Sequence, residues 1–141
     1  MKTLNLFLIF FFLFSINSYS LPKCQGDNPG EWDNCAGSVT WPDSSKYVGE
    51  FKDGKRHGQG IEAFVDGKKY IGEFRNDSPN GYGTGTTPDG WKFVGEWKNG
   101  FPNGHGVRTL PNGEEYLSQF INNKFEKYNF RMGKDIGAWE D

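Results

Sequence analysis

From Lys46 to Ile121 apolar and polar residues alternate in short runs that are broken at regular intervals by glycine, asparagine, aspartate and proline. In "KKYIGEF" the alternation puts Tyr70, Gly72 and Phe74 on one face and Ile71, Glu73 and Arg75 on the other, the two-residue period of a strand. Asp66-Gly67, Asp89-Gly90 and Asn112-Gly113 each separate two such runs, and this dipeptide chemistry predicts tight hairpins. A second turn in each period is marked by "KDGKRHG", "RNDSPNG" and "KNGFPNG". The pattern therefore predicts an all-β fold: an elongated, single-layer antiparallel meander of β-hairpins.

The period is itself a repeat. "YVGEFKDGKRHGQGIEAFVDGKK" from Tyr47 is followed without a gap by "YIGEFRNDSPNGYGTGTTPDGWK" from Tyr70 and "FVGEWKNGFPNGHGVRTLPNGEE" from Phe93, each 23 residues long. A partial unit spans 116–125, where Ser118 and Gln119 replace the glycine and glutamate, and another spans 35–46, where Cys35 stands at the place of a loop glycine. The array thus covers 35–125, with full units at 47–69, 70–92 and 93–115. One hairpin cannot bury its own apolar face, so stability must come from stacking successive units.

The segments "YVGEF", "YIGEF" and "FVGEW", followed by "HGQG", "NGYG" and "NGHG", closely resemble the consensus of the MORN repeat family, named for membrane occupation and recognition nexus. The resemblance implies a β-hairpin repeat module, with protein interaction, self-association and phospholipid contact as its associated functions. The repeated positions that carry it are Tyr47, Gly49, Phe51, Gly58 and Gly60, then Tyr70, Gly72, Phe74, Gly81 and Gly83, then Phe93, Gly95, Trp97, Gly104 and Gly106. Gly49, Gly72 and Gly95 lie between two aromatics of one face, where a missing side chain leaves a groove for rings from the adjacent strand. Glycine within a strand otherwise weakens the sheet.

The ends of the chain differ from the array. "LNLFLIFFFLF", Leu4 to Phe14, is followed by "SINSYS", in which Ser18 and Ser20 suit a signal peptidase, so residues 1–20 read as a cleaved secretory leader. The run is shorter than the ~20 apolar residues of a membrane-spanning helix. Lys23 occupies a site where lipid attachment at Cys24 would want a small residue. Cys24 and Cys35 follow the leader, and in an oxidising compartment their default state is a disulfide. They tie an N-terminal cap, 21–34, while 126–141 forms a C-terminal cap or tail.

Charge and candidate chemistry narrow the function. The chain has 16 basic and 18 acidic residues; loss of Lys2 with the leader leaves 15 − 18 = −3. That balance argues against nucleic acid and gives no strong electrostatic pull toward anionic lipid. His57 and His105 fall at different repeat positions and pair with no repeated nucleophile, so no catalytic residue is assigned. Glu50, Glu73 and Glu96 recur beside Lys52, Arg75 and Lys98. At about 10 Å apart along a meander they are too distant to share a proton or a metal, and read as a solvated charge ladder with cross-strand pairing. The turn aspartates lack the dense carboxylates of a calcium loop. No cofactor and no metal are expected.

Trp41 and Trp91 lie beside turns and mark a candidate ligand surface, since aromatic faces suit sugars and quaternary ammonium groups. The leading reading is a secreted or periplasmic, non-enzymatic repeat module that serves as a protein-interaction or scaffold surface and self-associates. The alternative is a binding module for envelope glycans, choline-like groups or phospholipid.

Overall fold

The computed structural model describes residues 20–122, 124–132 and 139–140. The segment 1–20, expected to be a leader, lies outside the described residues except for its last position, and part of the 126–141 segment lies outside them as well. Ten strands follow one another: β1 (Cys35–Thr40), β2 (Lys46–Lys52), β3 (Lys55–Ala63), β4 (Lys69–Arg75), β5 (Ser78–Thr86), β6 (Lys92–Lys98), β7 (Phe101–Thr109), β8 (Glu115–Ile121), β9 (Lys124–Met132) and β10 (Trp139–Glu140). They form a single sheet in sequence order, each strand antiparallel to the next, as the alternation of residues predicts. Among the described residues helix is limited to one 3₁₀ turn, Pro29–Glu31.

The two kinds of turn are distributed differently from the sequence expectation. The tightest hairpins join β2 to β3, β4 to β5 and β6 to β7, through Asp53-Gly54, Asn76-Asp77 and Asn99-Gly100. Both residues of each pair have positive φ, between 48° and 87°, which matches the twist of the flanking strands. The Asp66-Gly67 site, expected to be tight, is instead a five-residue connection from Phe64 to Lys68. Its chain reversal is closed by the Gly67 N–H donating to the Phe64 carbonyl at 3.0 Å, while the Asp66 carboxylate accepts from the Lys68 N–H at 3.1 Å. Only Gly67 needs positive φ there, so the aspartate contributes its side chain and not an unusual backbone.

The sheet has one organising row. Gly37, Gly49, Gly60, Gly72, Gly83, Gly95 and Gly106 stand opposite one another in consecutive strands, and Ser118 ends the series in β8. The resulting trough is filled by aromatic rings, but not by rings from the adjacent strand alone. Tyr47 folds back over Gly49 of its own strand and onto Gly60 of the next, Tyr70 does the same over Gly72 and Gly83, and Phe93 over Gly95 and Gly106. The Tyr47 and Tyr70 hydroxyls then donate, at 3.0 Å each, to the carbonyls of Glu50 and Glu73. Each ring thus lies along its own strand, over the glycine two residues on and over that glycine's register partner.

Edge-to-face contacts link these rings into a continuous ladder. Ring centroids are 4.9 Å apart for Tyr47–Phe74 and Tyr70–Trp97, 5.3 and 5.2 Å for Tyr47–Phe51 and Tyr70–Phe74, and 5.0 Å for Phe93–Phe120. Each such pair adds about 0.5–1.5 kcal/mol beyond area burial. The ladder is the core, because a single sheet has no second layer to bury its apolar face.

Further segments flank the repeats at both ends of the sheet. At the first edge Lys23 bridges Ala36 in parallel, and the Cys24–Cys35 disulfide ties this segment to β1. Trp32 covers Gly37, the position a repeat aromatic would otherwise cover, and meets Phe51 edge-on at 4.9 Å. At the other edge β9 covers β8. Ser118, fully buried, leaves no room for a ring over its own strand, and the Tyr116 hydroxyl turns instead to the Glu114 carboxylate at 3.0 Å.

Candidate interaction surfaces

Side chains on the face opposite the aromatic ladder form a second row. Val48, Ile61, Ile71, Thr84, Val94, Val107 and Leu117 are successive register partners from β2 to β8. Val48, Ile61, Ile71 and Val94 are 54, 47, 52 and 41% exposed, values typical of a surface and not of a core. The sequence carried this signal in the residue after each repeat aromatic, but its meaning depends on register: only pairing places residues from seven strands in one line.

The repeated glutamates do not form the expected charge ladder. Between the pairs Gly72↔Gly83 and Phe74↔Pro79, Glu73 alone faces Asn80, Gly81 and Tyr82, so β5 carries a bulge. The Glu73 carboxylate accepts from the Tyr82 N–H at 3.1 Å, and Glu96 accepts from the His105 N–H at 3.4 Å in the next unit. Gly81 and Gly104, with φ of 111° and 88°, lie against these carboxylates, and Gly58 lies against Glu50. The glutamate closes the bulge by capping backbone donors that lost their strand partners. Pairing with Lys52, Arg75 or Lys98 is not among the ion pairs of the described residues.

The histidines remain apart in function. His57 is half-buried in β3, where its carbonyl accepts weakly from the Tyr47 hydroxyl at 3.5 Å; it belongs to the strand and not to the turn itself. His105 is exposed in β7. No group of three histidine, cysteine, aspartate or glutamate side chains suited to a metal occurs among the described residues. No helix of the described residues is long and apolar enough to cross a membrane.

The two tryptophans have different surroundings. Trp41 is covered by the Arg56 guanidinium, 5.4 Å from its ring centroid and also 5.7 and 5.6 Å from those of Tyr47 and Phe74. Arg56 bonds the Glu62 carboxylate and the Asp77 carbonyl, and its backbone N–H donates to the Asp77 carboxylate at 2.9 Å. Burial pushes the Glu62 carboxyl up even against this guanidinium. Trp91 instead stands beside a cavity of about 340 Å³, with the Arg108 guanidinium 4.1 Å from its ring centroid. Burial also pushes the Tyr70 hydroxyl, on the cavity wall, up to about 12.

Comparison with curated proteins finds no match to the chain. The family model of the MORN repeat matches three consecutive segments, 47–69, 70–92 and 93–115, with the same unit boundaries as the sequence period. MORN-repeat proteins are generally non-enzymatic modules that bind protein or membrane lipid. With its hairpins, glycine row and aromatic ladder repeating in step with these segments, the chain is a MORN-repeat protein.

Proposed function

We propose that this chain is a secreted or periplasmic, non-enzymatic scaffold whose exposed sheet face mediates protein interaction, including self-association. The observation that carries the reading is the row from Val48 to Leu117, in which Val48, Ile61, Ile71 and Val94 are exposed apolar side chains on one face of the sheet. Contiguous apolar surface of this kind marks interaction sites. A second copy offers the same row, and two such rows meeting about a two-fold axis form a self-complementary interface. The Cys24–Cys35 disulfide supports the secretory address, since such bonds persist in oxidising compartments.

The test is size-exclusion chromatography with light scattering on residues 21–141 over a concentration series, for the native chain and for Ile71→Lys. A concentration-dependent dimer that Ile71→Lys dissociates is the expected result. A native chain that stays monomeric at every concentration overturns self-association and leaves the row to an external protein. Of the alternative ligands, choline-like cations are disfavoured because the Arg108 and Arg56 guanidinium groups already lie over the Trp91 and Trp41 rings.

A further inference from the structure

The face opposite the aromatic ladder is patterned in columns. Along one strand of each full unit the outward residues run lysine, apolar, glutamate: Lys46, Val48 and Glu50 in β2, Lys69, Ile71 and Glu73 in β4, Lys92, Val94 and Glu96 in β6. The rings that alternate with them, Tyr47, Tyr70 and Phe93, are buried on the ladder side. Pairing carries the pattern across the sheet: Ala63 and Thr86 stand between the lysines, Gln59 faces Glu73, and Tyr82 faces Glu96. From β2 to β6 the apolar row therefore runs between three lysines on one side and three glutamates on the other. The lysines are exposed, and none of the six charges takes part in an ion pair among the described residues. Glu73 and Glu96 accept from backbone N–H groups and keep their negative charge on this face.

This asymmetry decides how two copies of the face can meet. Two sheets packed face to face about a two-fold axis have that axis in the plane between them. An axis along the strands lays the lysine column of one copy on the lysine column of the other and glutamate on glutamate, and such like-charge contacts oppose association. An axis along the array, across the strands, lays each strand over its own counterpart in the opposite direction. The apolar row then meets itself in an aligned packing, and the lysine column of each copy lies over the glutamate column of the other. The row crosses β2 to β8, about 30 Å at the usual strand spacing, and lysine to glutamate spans about 14 Å along a strand. With side-chain margins the footprint is about 600 Å² on each copy, and the total of roughly 1,200 Å² reaches the size of specific interfaces.

Building on the self-association proposed above, we infer that the dimer is face to face with its two-fold axis along the array. Each unit lies over the same unit of the second copy, and Lys46, Lys69 and Lys92 lie over Glu50, Glu73 and Glu96 of that copy.

Val48→Cys and Val94→Cys test the axis, since both positions are exposed and Cys24 and Cys35 are joined to each other. A bismaleimide just long enough to bridge the ~10 Å between packed sheets is expected to join each variant to its own copy. The two positions are four strands apart, so an axis along the strands would keep at least one of these pairs about 20 Å or more apart. Lys69→Glu and Glu73→Lys test the charges. Each alone sets like charges together twice in the dimer and is expected to weaken dimerisation about tenfold at low salt, whereas the mixed pair restores opposite charges at both contacts and is expected to associate about tenfold more tightly than either variant with itself. Circular dichroism reports whether each variant is folded, and Lys92→Glu with Glu96→Lys repeats the test one unit on. A Glu73→Lys chain that pairs with itself as tightly as with Lys69→Glu overturns the charge pairing, and a dimer in which either cysteine fails to join its own copy overturns the axis. A native chain that stays monomeric in light scattering removes self-association itself, so the two failures are told apart.

Discussion

Substituting Gly60 with alanine isolates the contact on which the aromatic ladder depends. Gly60 has no positive φ, so alanine is compatible with the backbone, and its lower unfolded-state entropy alone would stabilise the fold by about 0.4–1 kcal/mol. The structure predicts the opposite sign. A methyl at residue 60 would lie 2.5 Å from the Tyr47 hydroxyl oxygen and 2.6 Å from Cζ, where real Cβ contacts do not fall below 3.0 Å. Tyr47 cannot retreat cheaply: it is fully buried, stands edge-on to Phe51 and Phe74, and donates to the Glu50 carbonyl. Overpacking of this kind costs about 1–3 kcal/mol, and displacement of the hydroxyl costs about 1 kcal/mol more. After the entropy gain the net loss is roughly 2–3 kcal/mol, which lowers Tm by ~10–20 °C in a domain of this size. Thermal and urea denaturation of Gly60→Ala, Tyr47→Leu and the double variant measure it. With the ring removed the methyl has space, so the alanine is expected to cost less than ~0.5 kcal/mol, a coupling of about 2 kcal/mol. An alanine that stabilises the native chain, or that costs as much in the Tyr47→Leu background, refutes the ring-over-glycine account.

Other expectations follow from separate contacts. Glu73→Ala should lose about 1 kcal/mol, the worth of the bond from the Tyr82 N–H. Glu73→Gln, which keeps an acceptor, should lose less than half of that, and denaturation at low and high salt should give the same differences because no ion pair is broken. Arg56→Met should destabilise by roughly 2–3 kcal/mol at pH 7, by leaving the desolvated Glu62 carboxylate unpaired. Glu62 already titrates above its ordinary value of 4.5 when folded, so the folded state binds the extra proton and the penalty must grow as pH rises through that region; melts at pH 4 should show a smaller loss. At the alkaline end Tyr70 titrates near 12 when folded against 10.0 when free, so unfolded chains ionise first and stability should fall between those values. Guanidinium melts across that range should show a shallower fall for Tyr70→Phe. Reduction of Cys24–Cys35, which closes a loop of 11 residues, should cost ~3 kcal/mol by melts with and without reductant.

Alternation, turn residues and the 23-residue period made the meander legible, because each follows from local backbone chemistry that repeats in register. Tyr70, Gly72 and Phe74 share a face as the strand period requires. What could not be read was the path each side chain takes over the sheet. The glycine between two aromatics signalled a groove, but whether Tyr70 or a neighbour's ring fills it depends on the direction the ring takes, which the bond from its hydroxyl to the Glu73 carbonyl accompanies. Likewise Glu73 beside Arg75 resembles an ion-pair ladder until the bulge at Gly81 presents a free N–H to the carboxylate. Asp66-Gly67 was expected to be tight because dipeptide chemistry is read without the strand ends that flank it, and those ends set the loop at five residues.

In a repeat array, conformity to the period reports architecture, and a departure from it reports what one unit does that its neighbours do not. Most departures here have a structural cause: Cys35 and Trp32 cover the first edge, and Ser118 ends the glycine row. The triple change from Arg56, Glu62 and Asp77 to Pro79, Gly85 and Gly100 accompanies the change from Phe74 to Trp97, whose ring lies over Gly85 where a side chain would meet it at 2.6 Å. The indole lies where a side chain equivalent to Glu62 would begin, and its N–H donates to the Gly83 carbonyl at 3.1 Å. One larger ring therefore removes a desolvated carboxylate and its arginine partner together, and the departure from the period follows from packing within the ladder.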